Sequence, residues 1–387
     1  IDFLFLLKYI KNFSFDFQYG LTQFLEGKRI HSPVFYIIIG FFLNIFNNIL
    51  IIKIIYILLC SLLPLTLYLI IKNKYSLDNI YIFYLSFIIF LSPYFRSSGI
   101  WLLGDNLSII FFSLSILFYI KTINNKTEIN YFLCILFLIL CSYIRYYYSV
   151  FIIFYLINFF KNIGIRLFIK LLLECLILAI PAILYFIHAV FYYEFLDLIS
   201  RKSSVNFLQN FLIILSIIFF YILFIIFFEI KKIFLYQKLN KKYLISILII
   251  AVIIFLLDRY TNNNLIELDQ RLYGGGGGVF IKLFLLLNIN TNIGILLIAI
   301  LSLLILDYFF KENRFNNYLL LVILLFCFPL SVIYQKYLDP FFIILFFGLV
   351  DSKKLKDLIL KEKINLKLLY SYFSIFLIAS ISIYDFI

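Results

Sequence analysis

Long runs of Ile, Leu and Phe, separated by short groups of charged residues, make up most of the chain after residue 48. These runs lack the alternation of apolar and polar positions that a membrane-spanning strand shows. In hydrocarbon each backbone N–H must bond within its own segment, so the runs are helices even though Ile and Phe favour strands in water. The pattern predicts an all-α, polytopic membrane protein of about twelve transmembrane helices. The predicted spans are 49–71, 79–95, 105–121, 129–143, 147–160, 170–190, 207–229, 243–257, 292–310, 318–334, 339–350 and 367–386.

The composition excludes a soluble globular protein. Of the 387 residues, 65% are hydrophobic and 14% charged, whereas soluble proteins have about 45–50% apolar and about 25% charged residues. So few charges cannot coat the surface of a soluble protein of this size. Lipid is therefore the solvent for most of this chain.

The chain shows no fixed-period repeat and no polar segment long enough to form a separate soluble domain. We predict a single integral membrane domain over 1–387. It comprises a first outer loop with amphipathic juxtamembrane helices (1–48), a helical core (49–257), an outer loop with a glycine run (258–291) and C-terminal helices (292–387). Because the chain begins at Ile1 and has no Met, we expect a missing start or a fragment. No removable signal peptide is indicated.

Basic residues are concentrated in one of the two alternating sets of loops. The chain carries 33 Lys and Arg against 20 Asp and Glu, and the larger share of the basic residues lies in this set, which the positive-inside rule makes cytoplasmic. These residues do not alternate with polar aromatic platforms, so no nucleic-acid partner is predicted. The loops of this set are 72–74, 121–126, 161–170, 231–242, 311–314 and 353–367.

The opposite loops carry isolated charges among aromatic residues. Unneeded charges are costly in a membrane protein, so sparse ionisable groups at the helix ends of one face are the first candidates for a site. The active face is therefore predicted to be extracytoplasmic, in a bacterial inner (plasma) membrane or the endoplasmic reticulum. The loops concerned are 1–33, 96–105, 191–206, 258–291 and 335–339.

Several kinds of site are not indicated. The chain has no GxxxxGK[ST] or GxGxxG motif, hence no predicted nucleotide cofactor. The five cysteines lie in apolar runs without CxxC spacing, which argues against disulfides and zinc. The run Gly274–Gly278 has two interpretations, a set of backbone N–H donors for an anion or a flexible hinge.

Four segments carry a resemblance to a known family. The first is Phe15-Asp16-Phe17-Gln18-Tyr19-Gly20, followed by the His-x-Pro-x-x-Tyr pattern from His31 to Tyr36. It resembles the membrane glycosyltransferases that use polyprenyl-phosphate sugars, the GT-C superfamily, which includes the protein O-mannosyltransferases and the lipid A aminoarabinose transferases. The segment Leu91–Arg96 with Gly104-Asp105-Asn106-Leu107 resembles that family's second outer loop.

The remaining two segments are similar to the dolichol-linked oligosaccharide alpha-1,2-glucosyltransferases. Ser142–Tyr148 is similar to their Arg motif, and Tyr334–Pro340 is similar to their late outer loop. The chain departs from the family where Asp16 is followed by Phe17 rather than by a second acid, which leaves the requirement for a divalent metal open. The family's first helix is also absent or truncated.

The resemblance implies transfer of a sugar from a polyprenyl-phosphate donor to an extracytoplasmic or luminal acceptor, with inversion at the anomeric carbon. The acceptor class is a lipid-linked glycan, a lipid or a protein, and membrane lipids are further partners. Such a donor is already activated, so the enzyme needs only a base for the acceptor and a clamp for the leaving phosphate. The alternatives are a non-catalytic lipid-linked sugar translocase or transporter, and a channel or structural component.

Asp16 is the candidate catalytic base. Phe15 and Phe17 are expected to desolvate its carboxylate and raise its basicity. The alternative role is to cap a helix over Phe17–Leu25, and the two roles are compatible.

The predicted substrate-binding residues are mostly cations that can meet the leaving phosphate. Arg145 is the strongest, since it lies among tyrosines between two short spans. Each cation has the alternative of snorkelling to lipid headgroups. His31 either bonds the substrate or packs before Pro33, and Asp105 is more readily a helix N-cap than a catalytic group. The full set is His31, Arg96, Asp105, Arg145, Arg271, Gln335 and Lys336, with no metal ligand assigned.

Overall fold

The computed structural model describes residues 2–27, 32–76, 79–193, 207–239, 276–328 and 333–385. Every regular element in these ranges is a helix, which confirms the all-α prediction for this part of the chain. The chain divides into two compact units, Ile1–Lys202 with Ser380–Ile387, and Ser203–Ala379. The single integral membrane domain over 1–387 stays a prediction.

The first unit contains eleven of the described α-helices. They are α1 Asp2–Phe15, α2 Phe17–Glu26, α3 Val34–Phe46, α4 Ile49–Cys60, α5 Leu62–Tyr75, α6 Ile80–Phe87, α7 Pro93–Ile100, α8 Gly104–Asn124, α9 Glu128–Ile144, α10 Phe151–Asn162 and α11 Ile165–Tyr193.

The second unit contains the remaining described α-helices. They are α12 Phe207–Leu239, α13 Val279–Leu286, α14 Thr291–Phe310, α15 Arg314–Phe326, α16 Phe341–Leu349, α17 Lys353–Leu360 and α18 Leu366–Asp385, whose last residues belong to the first unit.

Polar residues at the ends of apolar runs determine where many helices begin. Asn48, Asn79 and Ser92 each accept a backbone N–H in the first turn of α4, α6 and α7. Such a bond satisfies one of the N–H groups that a helix start leaves without a partner. Pro93 follows in the first turn of α7, where a missing N–H costs nothing.

Side-chain contacts give the direction of the central helices of the first unit. Thr66 Oγ1 lies 2.8 Å from Ser113 Oγ, and Asn124 Nδ2 donates to the Asn73 carbonyl at 3.1 Å. The paired residue numbers rise together, so α5 and α8 are parallel. Helix α9 runs the other way, because Ser115 bonds to the Cys134 carbonyl near the middle of α8 while Asp105 contacts Arg145. The predicted topology gives spans 49–71 and 105–121 the same direction and span 129–143 the opposite one, in agreement with these contacts.

In the second unit α14 and α15 are joined by a short 3-10 helix, Lys311–Asn313. The Tyr318 hydroxyl donates to Asp307 Oδ1 at 2.9 Å. A straight helix would separate residues eleven apart by roughly 16 Å along its axis, so the chain bends sharply at this turn. At its other end α15 packs Phe326 against Phe207 and Phe211 of α12.

Within the described residues, five helical segments are long and apolar enough to cross a membrane, or six if the bent pair Ile80–Leu91 and Pro93–Ile100 is one span. Their apolar character agrees with a multi-pass membrane protein. The prediction of about twelve spans is not confirmed, because several apolar helices are shorter than the roughly 20 residues that a full span needs. The predicted span 243–257 lies outside the described residues.

Candidate functional site

The predicted outer end of α8 lies against segments from three other parts of the first unit. Asn106 Nδ2 donates to the Phe95 carbonyl at 2.8 Å, and the Asn106 backbone N–H donates to Ser98 Oγ at 3.3 Å. These bonds hold α7 against the start of α8. The Tyr56 hydroxyl donates to the Leu103 carbonyl and fixes α4 at the same place.

Asp105 and Arg145 form an ion pair at this end. Arg145 Nε is 2.8 Å from Asp105 Oδ1, and Arg145 Nη2 donates to Oδ2 at 2.9 Å, so both carboxylate oxygens face the guanidinium. The side chains are 15% and 25% exposed respectively. Asp105 lies in the first turn of α8 and Arg145 directly after the last turn of α9, where helix dipoles favour an anion and a cation. The pair therefore fastens one end of the α8–α9 hairpin.

The environment keeps Arg145 charged. Burial alone lowers the pKa of Arg145, but the adjacent Asp105 carboxylate, with smaller contributions from Tyr147 and Tyr36, more than offsets this and raises the pKa. A guanidinium that stays ionised in a half-buried position is suited to bind a phosphate as a planar, two-pronged donor.

The prediction that Asp105 caps α8 is wrong. Leu103 occupies the cap position, and it makes no side-chain capping bond. Asp105 lies within the first turn instead, and its carboxylate is directed at Arg145 across 40 positions of sequence.

The start of α3 completes the site. A Cβ placed on Gly104 would lie 3.2 Å from the Phe35 ring and 3.0 Å from Ile144. Glycine therefore allows α8 to approach α3 and α9 closely. Tyr36, next to Phe35, is near enough to Arg145 to affect its pKa.

Asp16 is placed elsewhere. Its Oδ1 accepts the Tyr19 N–H at 2.7 Å, so the alternative role, capping α2, is confirmed. The protein does not bury the carboxylate, and Phe15 and Phe17 are themselves exposed, contrary to the expected desolvation.

Packing within the first three helices separates Asp16 from the ion pair. Tyr9 of α1 contacts Tyr36, and Phe13 contacts Gly40, so α1 and α3 run in parallel. Asp16 follows Phe13 along α1, which puts it roughly 10 Å beyond the level of Tyr36 at 1.5 Å per residue.

Gln335 and Lys336 lie in the second unit. Gln335 is buried, accepts the Val279 N–H at 2.9 Å through Oε1, and lies 3.4 Å from the Tyr221 hydroxyl. It therefore caps α13 directly after the glycine run, where Gly278 has a left-handed φ of 83°. Lys336 is exposed, with its ammonium over the rings of Tyr334 and Tyr337. The structure thus gives Gln335 a structural role that the sequence did not predict.

Arg96 is exposed on α7. His31, Arg271, Gly274 and Gly275 lie outside the described residues, so their roles stay predictions. Among the described residues, no group of three or more His, Cys, Asp or Glu is arranged to hold a metal ion.

Sequence reasoning assigned no role to Tyr56, Ser98 or Asn106, which hold the backbone around the ion pair. All three stand in or beside apolar runs. Nothing in the sequence distinguishes Tyr56 from the other tyrosines of a chain that has 31. The arrangement as a whole presents a charged guanidinium and a carboxylate side by side at a helix start. No family model, curated protein or solved structure matches this chain.

Proposed function

We propose that this chain is an integral membrane glycosyltransferase of the GT-C type, which transfers a sugar from a polyprenyl-phosphate donor to an acceptor on the extracytoplasmic side. One observation carries the proposal. Parts of three of the four segments that carry the resemblance, around Tyr36, around Phe95 with Asp105, and around Arg145, are far apart in the chain but lie together in the first unit. The fourth, Tyr334–Pro340, belongs to the second unit. The convergence of the three is what a shared site requires.

Arg145 is the proposed clamp for the leaving phosphate. A guanidinium has five N–H donors, and Asp105 faces only one side of it. A donor phosphate therefore competes with Asp105 or shares the guanidinium with it. Charge grows on the phosphate as the bond to the sugar breaks, so a fixed cation there stabilises the transition state more than the bound donor.

The geometry favours Asp105 over Asp16 as the base. When a phosphate takes over Arg145, the Asp105 carboxylate loses its cation and its basicity rises. The acceptor hydroxyl oxygen then attacks the anomeric carbon and its proton passes to Asp105. The bond between sugar and phosphate breaks with its electron pair on the phosphate oxygen, which Arg145 neutralises. A single displacement of this kind inverts the anomeric centre.

The first test replaces Arg145 by Lys. A point charge then stands where a two-pronged donor was, at the same net charge, so turnover should fall about 10–100-fold while donor affinity changes much less. The assay is sugar transfer from a synthetic polyprenyl-phosphate sugar in detergent. Arg166→Lys is the matched control, since Arg166 is an exposed arginine of α11 outside the predicted substrate-binding set, and it should retain full turnover.

Two outcomes contradict the proposal at different levels. Unchanged turnover in Arg145→Lys would remove the clamp but not the enzyme. Flipping of the same lipid by the wild-type protein in vesicles, without transfer to any of several acceptors, would favour the lipid-linked sugar translocase.

A further inference from the structure

Charged side chains gather around two tyrosine rings near the C-terminal ends of α12 and α14. Four helices and the turn between α14 and α15 contribute to this group, named the Tyr236 cluster. Its members are Glu229, Lys232, Tyr236, Asp307, Tyr308, Lys311, Arg314, Tyr318 and Lys354.

The acids of the cluster are buried and already bonded. Asp307 is fully buried and accepts hydrogen bonds from the hydroxyls of Tyr236 and Tyr318 at 3.0 and 2.9 Å. Glu229 accepts from Lys232 at 2.6 and 2.8 Å and from Tyr308 at 2.9 Å. These carboxylates face into the bundle and join its helices.

The cations converge on one ring from three elements. Lys354 Nζ lies 4.6 Å from the centre of the Tyr236 ring, and Lys311 Nζ lies 5.6 Å from it. Arg314 Nη2 donates to the Tyr236 hydroxyl at 3.2 Å and is 3.8 Å from Asp307. Lys311 and Arg314 are exposed, whereas Asp307 and Glu229 are buried, so positive charge predominates on the outside of the cluster, with Glu312 as the exposed acid of the same turn.

Lys354 is held firmly within this group. Its ammonium lies 3.2 Å from the centre of the Tyr308 ring and donates to the Tyr308 carbonyl at 2.8 Å. Burial lowers the pKa of Lys354 to about 8, and Lys311 adds to this, although Glu312, Asp307 and Glu229 oppose it. A further anion bound at this position would stabilise the charged form of Lys354 and so offset the effect of its burial.

The neighbouring surface is apolar on one side, which favours an amphiphile over a free ion. Phe315, Val322 and Phe326 are exposed and stand seven and four residues apart on α15, so they form one stripe that begins beside Arg314. Helix α17 buries Leu355, Leu358 and Ile359 against the protein and exposes Lys353 and Lys356, so it turns a basic face outward beside the cluster.

We propose that Lys311, Arg314 and Lys354 bind the phosphate of an anionic phospholipid of the cytoplasmic leaflet, with an acyl chain along Phe315, Val322 and Phe326. This site is independent of the glycosyltransferase activity. The site lies among the loops that the charge distribution predicts to be cytoplasmic. In the cytoplasmic leaflet, anionic lipids attract basic segments.

The test measures binding of fluorescent phosphatidylglycerol to the purified full chain in phosphatidylcholine nanodiscs. The double variant Lys311→Gln/Arg314→Gln leaves the half-buried Lys354 in place and should lower affinity about 10-fold or more, at roughly 1 kcal/mol per basic residue. The matched control is Lys361→Gln/Lys363→Gln, which removes two exposed cations of the same region outside the cluster. It should change affinity less than twofold.

Further measurements separate the sources of the phosphate and guard against misfolding. The variant Lys311→Arg/Arg314→Lys keeps both charges and should bind the lipid about as tightly as the wild-type protein. Equal losses in the cluster and control variants would overturn the proposal in favour of a diffuse basic surface. Displacement of the lipid by millimolar inorganic phosphate or glycerophosphoglycerol would also overturn it, since the acyl chain would then contribute nothing.

Discussion

At the scale of single residues, the sequence identified side chains but not their partners. Asp105 and Arg145 were both singled out, because charges at helix ends are expensive beside lipid. Their pairing across 40 positions was not predictable, since it depends on how α8 packs against α9. Asp16 shows the converse, because its position before a helix start was enough to predict the observed cap.

Replacing each of the two candidate bases by Asn tests which carboxylate accepts the proton of the acceptor. Asp105→Asn should lower transfer about 10²–10⁴-fold, the usual cost of losing a general base. The same change should tighten the binding of polyprenyl phosphate several-fold, because the carboxylate no longer competes for Arg145. Both effects are measured with the purified protein, by transfer kinetics and by phosphate-lipid titration.

Asp16→Asn is the control, since asparagine caps helices about as well as aspartate. We expect its turnover within a few-fold of wild type. A large loss in this variant together with full activity in Asp105→Asn would return the role of base to Asp16.

At the scale of elements, helix type and position followed from the sequence more closely than helix packing did. The predicted spans 49–71 and 79–95 begin within one residue of α4 and α6, each of which follows a capping Asn. The break of the predicted span 79–95 into two helices bent by 65° was not expected. Close approach of α1 to α3 depends on glycines whose neighbours only the fold reveals.

Gly40→Ala tests that approach. The added Cβ would lie 2.9 Å from Phe13 Cβ and 3.0 Å from the Ile10 carbonyl oxygen, so α1 and α3 must move apart. We expect a loss of about 1–3 kcal/mol, typical of overpacking. Thermal unfolding in detergent measures it. Gly164→Ala is the matched control, because a Cβ there meets nothing within 4 Å, and an equal loss in both variants would contradict the packing explanation.

At the scale of the whole molecule, several loops predicted to share a side are in contact within a unit. Asn73 and Asn124 join two predicted cytoplasmic ends of the first unit, while Asp105 and Arg145 join two predicted outer ends. In the second unit Lys311 and Lys354 meet at Tyr236. The charge pattern predicts such groupings because insertion responds to loop charge. The number of spans is harder to predict, since short apolar helices cross or stop short according to their neighbours.

Single cysteines test this topology in sealed membranes. Cysteine at the exposed positions Arg96 and Lys336 should react with an impermeant reagent from the extracytoplasmic side, and cysteine at Lys363 only after the membrane is opened. The parent chain with its native cysteines measures the background. Labelling of positions 96 and 363 from the same side would reject the span assignment and the site with it.

The one tryptophan of the chain lies close to the ion pair. Trp101 directly follows α7, three residues before the start of α8. The residue is 48% exposed, and the Lys53 ammonium lies 5.6 Å from the centre of its ring. Indole emission from the unlabelled protein therefore comes from this place alone. Lipids brominated at known depths would give the height of the site in the bilayer, and a change of emission on adding donor lipid would report its arrival without any assay of transfer.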